Sequence, residues 1–488
     1  MLTEVKNIVI VGGGTSAWFS AAYLNHNHKY NITLIDKEVG TPVGVGEGTL
    51  LNFDEFMGDC GITTAEYFNK IDAIYKAGIL FPNWGQKNNL VWHPFWLDEI
   101  YANEKVKTTV YECWTHHQDE YDFNDIGAHF MSAIHNKVDA TNIHHYAMHV
   151  DAGKITTFLQ DRLKDDITII KSEVKEVARA GNNVKKLILA NGQEVQGDIY
   201  IDCTGWSNIL QDQSDKVDLN GRLFCDTAVA GHVPYKNKKS EQKPYVTSEA
   251  VDHGWIWNIP TQSRIGTGLV FRRSITDEEE AKKYFCDYWD NRITPEQTKV
   301  LKWDPFYIKN PWQGNTVSVG LSAGFIEPLE STGLGLIMGS IREVSIILKA
   351  GFYTDNDVKL FNEIQQAVYE DSIDFINMHY THTEFDTPFW NYVKDNNIHS
   401  DRLRFFEHNI GSGDAFHIDG RGFMFGGANW LCWMLQTYKG IPPRNTVDPS
   451  TARQILDDWQ TRLNTPCMDL EDAIQQFEDV LWEKKNKN

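Results

Sequence analysis

An α/β fold is the class this sequence predicts, and three observations predict it. A β-branched run meets a glycine turn and an alanine-rich stretch within the first 25 residues. Two further strand-like runs, ending near residues 203 and 322, also leave through small residues. From about Ile341 onward, Leu, Ile, Phe and Trp recur at three-to-four spacing, the period of a helix packed on one face.

The elements follow in order. Asn7 to Val11 is short, apolar and β-branched, as a buried parallel strand is. Gly12-Gly13-Gly14-Thr15-Ser16-Ala17 follows, then a helical stretch from Trp18 to Leu24 and a second strand from Ile32 to Ile35 ending in Asp36. This is G-x-G-x-x-A with an acid at the end of the next strand. Gly12 permits the tight turn, Gly14 lets backbone approach a pyrophosphate, and Ala17 keeps helix and sheet close. The helix N-terminus offers N–H groups to the anion, and Asp36 accepts from ribose hydroxyls. A dinucleotide site is expected here, and this segment alone leaves FAD and NAD both open.

The two later turns favour FAD. Gly197-Asp198-Ile199-Tyr200-Ile201-Asp202-Cys203-Thr204-Gly205 and Val317-Ser318-Val319-Gly320-Leu321-Ser322-Ala323-Gly324 are strands leaving through residues small enough for amides to contact a pyrophosphate or isoalloxazine. The layout is a Rossmann-like, FAD-binding module of the flavin monooxygenase type, with an inserted antiparallel sheet and a mostly helical C-terminal part. Residues 1–345 are expected to hold the module with interleaved substrate-side segments, and residues 346–488 the helical substrate-side region.

Composition sets limits on partners. The chain has 488 residues, about three domain volumes at roughly 150 residues each. With 46 basic and 67 acidic side chains its formal charge is -21, which disfavours nucleic acid and anionic membrane surfaces. Seven scattered cysteines without C-x-x-C suggest a reducing, cytoplasmic setting, with neither disulfides nor a zinc site. Lys6 and the apolar run after it mimic a secretory signal, but three glycines interrupt it, so it is read as mature folded sequence. Apolar runs also fall short of the ~18 residues of a membrane span. Homo-oligomerisation is left open.

Four stretches carry chemistry. Val43-Gly44-Val45-Gly46-Glu47-Gly48-Thr49 is too glycine-rich for regular structure and suits a ligand-hugging loop, with Gly46 on the cofactor side. Lys76 sits in Tyr75-Lys76-Ala77-Gly78-Ile79-Leu80-Phe81, where burial would push its amine towards neutrality; the alternative is a lysine snorkelling to solvent. In Gly254-Trp255-Ile256-Trp257-Asn258-Ile259-Pro260, strand spacing puts both indoles on one face, as a rigid wall or as ordinary core. Glu327-Pro328-Leu329-Glu330-Ser331-Thr332-Gly333 places a carboxylate and hydroxyls at a helix entrance, fit for a small anion or for plain capping.

As a set these stretches resemble the flavin-dependent halogenases, the family that includes the tryptophan halogenases. W-x-W-x-I-P from Trp255 to Pro260 is the most specific, beside G-x-G-x-x-A, the Lys76 segment and Pro328-Leu329-Glu330-Ser331-Thr332-Gly333. Echoes lie at Val45-Gly46-Glu47, His93-Pro94-Phe95, Tyr146 to Gly153 and Gly266-Thr267-Gly268. The resemblance implies FADH2 from a separate flavin reductase, and oxygen and halide (chloride, bromide or iodide) as co-substrates. Hypohalous acid would form beside Thr332 and Gly333 and pass down a tunnel walled by Trp255 and Trp257. At Lys76 it would become a haloamine or a hydrogen-bonded oxidant. An electron-rich aromatic ring held by His93 and Phe95 would then be attacked, with Glu330 offsetting the cationic intermediate or taking its proton and Ser331 orienting either partner. Burial and mutual proximity act in opposite senses on the protonation of Lys76 and Glu330.

The pattern departs from the tryptophan-specific members between Arg404 and Gly440. Gly411-Ser412-Gly413-Asp414 and Gly426-Gly427-Ala428-Asn429-Trp430 replace the segment that closes over the amino acid, so an open site for phenols, indoles or heteroarenes is expected. The rival readings are a flavin monooxygenase inserting oxygen and a non-catalytic flavin-binding protein. A metal site at His144, His145 and His149, or at His116 and His117, is not expected; the first group falls in a strand-like stretch of mixed exposure, and neither group has familiar ligand spacing. Asp277 to Lys283 and Glu483 to Asn488 read as solvated charge.

Overall fold

Asn7–Val11 is a strand, buried from Ile8 on, and it lies between two parallel neighbours, Asn31–Asp36 and Ile199–Asp202. Two-sided burial explains why its sequence is a continuous apolar run instead of an alternating one. The computed structural model describes residues 3–37, 46–95, 99–103, 106–211, 215–412, 424–464 and 466–477. Val43 to Val45, Gly413, Asp414 and Glu483 to Asn488 lie outside these. By contacts the chain forms two units: residues 1–72, 150–219 and 304–369, and residues 73–149, 220–303 and 370–488. A boundary at 345 falls inside the helix Thr332–Leu348.

The first unit is built on a six-stranded sheet. Its order is Thr168–Lys171, Asn31–Asp36, Asn7–Val11, Ile199–Asp202, Thr316–Ser318 and Trp312–Gln313, with only the last pairing antiparallel. The helix Thr15–Asn27 crosses from the glycine turn to the second strand and packs between Ala152–Leu163 and Thr332–Leu348. An antiparallel meander, Val174–Ala180, Asn183–Leu189 and Glu194–Val195, supplies Val184, Leu187, Leu189 and Val195 to a cluster with Val9, Val11, Ile35 and Tyr200. Burial at about 25 cal/mol per Å² makes such apolar contact the main stabilising term of the sheet.

The second unit holds the inserted sheet. Its seven strands run Lys299–Lys302, Thr227–Val233, Ile265–Phe271, Gly254–Pro260, Val246–Val251, Gly78–Pro82 and Leu90–Pro94. All pairings are antiparallel except Val246–Val251 with Gly78–Pro82. The helix Glu278–Tyr288, capped by Asp277, lays Ala281, Phe285 and Cys286 on one end of this sheet, against Val229, Leu269 and Phe271.

At the other end, Leu90–Pro94 is an edge strand that would expose unpaired backbone. Gln436, on the helix Gly427–Thr437, acts as a side-chain peptide group there. Its Oε1 accepts from the Trp92 N–H at 2.8 Å and its Nε2 donates to the Trp92 carbonyl at 2.9 Å.

The described parts of the glycine-rich stretch from 404 to 440, residues 404–412 and 424–440, are more regular than their composition suggests. Asp401–Ser412 and Gly427–Thr437 are both helices, because Leu403, Phe406 and Ile410, and then Trp430 to Leu435, present buried apolar faces that outweigh the glycines' low helix propensity. Pro388–Asn396 and Pro449–Leu463 are helical too. Among the described residues no helix is long and apolar enough to cross a membrane.

Candidate active site

In the first unit, three distant segments meet at the glycine turn. Gly12 has φ +139, and a Cβ there would lie 2.3 Å from the Cys203 carbonyl oxygen, so the residue has to be glycine. A Cβ on Gly320 would come within 2.9 Å of Ser16 Cβ. Asp202, fully buried, ties the two later turns together. Its Oδ1 accepts from Thr204 N at 2.9 Å, Thr204 Oγ1 at 2.6 Å and Ser322 Oγ at 3.0 Å, and its Oδ2 accepts from Leu210 N at 2.7 Å. Burial raises this carboxyl above the usual range, and these bonds act against it. Asp202 was not singled out in the sequence, although an acid closing an apolar strand is a visible signal.

These residues fit a dinucleotide. Gly14 is the N-cap of Thr15–Asn27 with no side-chain cap, and a Cβ on it would meet nothing within 4 Å. Open space thus adjoins the first, unsatisfied N–H groups of a 13-residue helix, the arrangement that suits a pyrophosphate. Asp36 ends its strand beneath Gly13, whose Cβ would sit 2.1 Å from Asp36 Oδ1, and Lys171 Nζ holds Oδ2 at 2.9 Å. Ala17 is fully buried, as a helix pressed to a sheet requires. Gly46 has φ +88, a left-handed backbone that favours glycine. Gly324 has a packing reason to be small, since a Cβ would fall 2.8 Å from the Phe306 carbonyl oxygen in the neighbouring strand.

Glu330, Ser331, Thr332 and Gly333 lie where Thr332–Leu348 begins. Ser331 is left-handed, at φ 59 and ψ 31, and its side chain makes no capping bond, so the plain capping expected as the alternative is not what this serine does. Glu330 and Thr332 are fully buried, and the Thr332 hydroxyl has no hydrogen-bond partner. A Cβ on Gly333 would meet nothing within 4 Å. An unsatisfied hydroxyl and open approach at the N-terminus of a 17-residue helix suit a small anion.

The second unit carries the lysine. Lys76 ends the strand Ile74–Lys76 and is fully buried, which rules out the snorkelling alternative. The next residue turns the chain into Gly78–Pro82: Ala77 N donates to Pro244 O at 2.7 Å and its carbonyl accepts from Phe95 N at 3.0 Å. That last bond brings Phe95 under the amine, with Lys76 Nζ 4.3 Å from the ring centroid. His93 is fully buried, and its Nε2 accepts from Asn429 Nδ2 at 2.9 Å. Its ring lies 6.4 Å from Phe95, tilted at 53°. Phe375 lies 5.6 Å from His93 and stacks on Phe425 at 4.0 Å. Phe425 N is held by Asp371, which also pairs with Arg402.

The tryptophan pair forms as expected. Trp255 and Trp257 project from one face of Gly254–Pro260 with centroids 6.1 Å apart, and the Trp255 indole N–H is buried without a partner. Small neighbours make the room, since Trp255 faces Ala250 and Trp257 faces Gly268. A Cβ on Gly268 would lie 2.1 Å from Trp257 Cη2. Gly268→Ala is therefore expected to destabilise the protein by about 1–3 kcal/mol through overpacking, measured by denaturant unfolding.

The sequence places His149 in a stretch of mixed exposure. The whole strand Ala147–Val150 is instead buried on both faces, including His149, its single polar residue. His149 is drawn into the lysine's surroundings by this strand's pairing with Ile74–Lys76.

The family model for tryptophan halogenase matches residues 7–453. The chain belongs to the tryptophan halogenase family. It is an FADH2-dependent halogenase of the flavin-dependent kind. Tryptophan 6-halogenase ThaL of Streptomyces albogriseolus is 29% identical over 428 residues, covering 81% of this chain and 80% of that protein. Tryptophan 7-halogenase RebH of Lentzea aerocolonigenes is 28% identical over 435 residues, with coverage of 81% and 80%. The fold is shared with Xcc4156, a flavin-dependent halogenase from Xanthomonas campestris, at TM-score 0.88 and 24% identity over 97% of this chain and 98% of that one. A tryptophan halogenase from Shewanella frigidimarina gives the same TM-score, 0.88, at 24% identity, covering 97% of this chain and 98% of its own.

Proposed function

We propose that this member of the family halogenates an electron-rich aromatic compound other than free tryptophan, by relaying hypohalous acid to Lys76. Reduced FAD, supplied by a separate flavin reductase and bound at Gly12, Gly14, Ala17 and Asp36, with Gly46 and Gly324 nearby, would supply the oxygen chemistry that turns halide into hypohalous acid. Thr332 and Gly333 hold the halide through helix N-terminal N–H groups and the unpartnered hydroxyl. Trp255 and Trp257 bar the organic substrate from the flavin side, and a tunnel carries the oxidant to the amine. Lys76 holds and points the electrophilic halogen. His93 and Phe95 set the face on which the aromatic ring lies, Glu330 offsets its cationic intermediate, and Ser331 orients the carboxylate.

The observation that carries this reading is the Lys76 amine, fully buried and laid over Phe95 beside His93. A lysine ordinarily keeps its amine in water, and burying one costs free energy. The glycine-rich sequence from 404 to 440 supports a substrate other than the tryptophan named for the relatives.

The test is reconstitution with a flavin reductase, NADH, FAD and one halide salt at a time, against a panel of phenols, indoles and heteroarenes, with products weighed by mass spectrometry. A halide-dependent mass gain is expected. Hydroxylated product formed without halide would make the enzyme a monooxygenase, and failure to consume oxygen would make it a flavin-binding protein.

A further inference from the structure

His149 has a lone pair to spare. Its imidazole is fully buried, and Nδ1 lies 2.7 Å from the carbonyl oxygen of Pro260, the last residue of the tryptophan strand. A carbonyl only accepts, so Nδ1 carries the proton and Nε2 is a bare acceptor. Nε2 is buried with no hydrogen-bond partner. A histidine kept only for packing would satisfy both nitrogens, because a buried acceptor without a donor costs free energy comparable to a lost hydrogen bond.

The strand register shows what faces it. Ala147 lies opposite Lys76 and His149 opposite Ile74, so His149 and Lys76 point from the same face of this antiparallel ladder as diagonal neighbours. Diagonal neighbours are within reach of long side chains. Burial first, and then the charge of Lys76, hold the imidazole well below its ordinary pKa, so it stays neutral and keeps its lone pair.

We propose that His149 is a positioning residue for Lys76, its Nε2 being the acceptor that draws the amine off the Phe95 ring and fixes its direction. The role rests on the relay proposed for Lys76. The lysine then has two resting points, the face of Phe95 and the lone pair of His149, and turning its terminal torsions moves the amine between them. Because Nδ1 is anchored to Pro260, the strand bearing Trp255 and Trp257 and the strand bearing Lys76 are held in register by one imidazole.

Two variants separate positioning from packing. In His149→Asn the shorter amide can still donate to Pro260 but leaves nothing at the Nε2 position. In His149→Gln the amide extends to that position and its oxygen accepts. His149→Asn is expected to lower the kcat for halogenation at least tenfold with KM for the aromatic within twofold, and His149→Gln to recover at least half of the wild-type kcat. A His149→Asn kcat within twofold of wild type, or a His149→Gln enzyme as impaired as His149→Asn, overturns the proposal. A second measurement needs neither variant to fold nor any halogenation. In ¹⁵N-histidine-labelled protein, the His149 Nε2 signal should be of the unprotonated type and should move when Lys76→Met removes the amine; an unchanged signal overturns the proposal. Wild-type protein that makes no halogenated product would overturn the relay, while the ¹⁵N shift decides the His149 contact by itself.

Discussion

Lys76→Ala is expected to cut halogenated product by roughly 10²- to 10⁴-fold, the range in which a positioned proton donor or acceptor acts, while reduced flavin is still consumed. On the proposed relay the loss follows from chemistry, because the substitution removes the amine that would hold or polarise the electrophilic halogen. Because Lys76 is fully buried, alanine also opens a cavity, so Lys76→Met is the sharper variant. Methionine keeps an unbranched stem over Phe95 and removes only the nitrogen. Both variants should lose product alike, by mass spectrometry against oxygen uptake. Product that survives Lys76→Met would remove the amine from the reaction.

Gly14→Val should abolish flavin binding and leave the fold standing. Valine is allowed at φ -87, and a Cβ at Gly14 would meet no protein atom within 4 Å. The fold therefore loses only about 1 kcal/mol, for a poorer N-cap. The added methyl groups fill the open space in front of the helix N-terminus. A loss of at least roughly 100-fold in FAD affinity by fluorescence titration is expected, since close backbone approach is what glycine gives a pyrophosphate. Gly12→Ala, by contrast, would drive a Cβ into the Cys203 carbonyl and unsettle the turn itself, so it would not separate cofactor from fold. Wild-type FAD affinity in Gly14→Val would place the cofactor elsewhere.

What was legible in the sequence was local. The strand, glycine turn, helix and acid from Asn7 to Asp36 follow each other within one βαβ length, and two tryptophans at strand spacing share a face whatever surrounds them. What was not legible depends on partners distant in the chain. The lysine's amine lies over Phe95, which a backbone bond to the Ala77 carbonyl brings there from the end of a later strand. His149 alternates with apolar residues as a half-exposed strand would, and only the covering of both faces makes it a buried base. Ser331 gave no hint of its left-handed backbone, because serine is common at helix starts with the ordinary extended conformation. Glycines between 404 and 440 concealed two helices whose buried faces are spaced as helices require.

The glycine facing Trp257 bears on enzyme engineering. A double-indole strand grafted into another flavoenzyme arrives without the cleared ground it stands on, and the second ring would collide with whatever side chain occupies the position of Gly268. Transplanting the indole pair therefore means moving at least three strands together: the one with the indoles, the one with Ala250 and the one with Gly268. The portable module is a patch of sheet, and its sequence signature includes residues defined by having almost nothing on them.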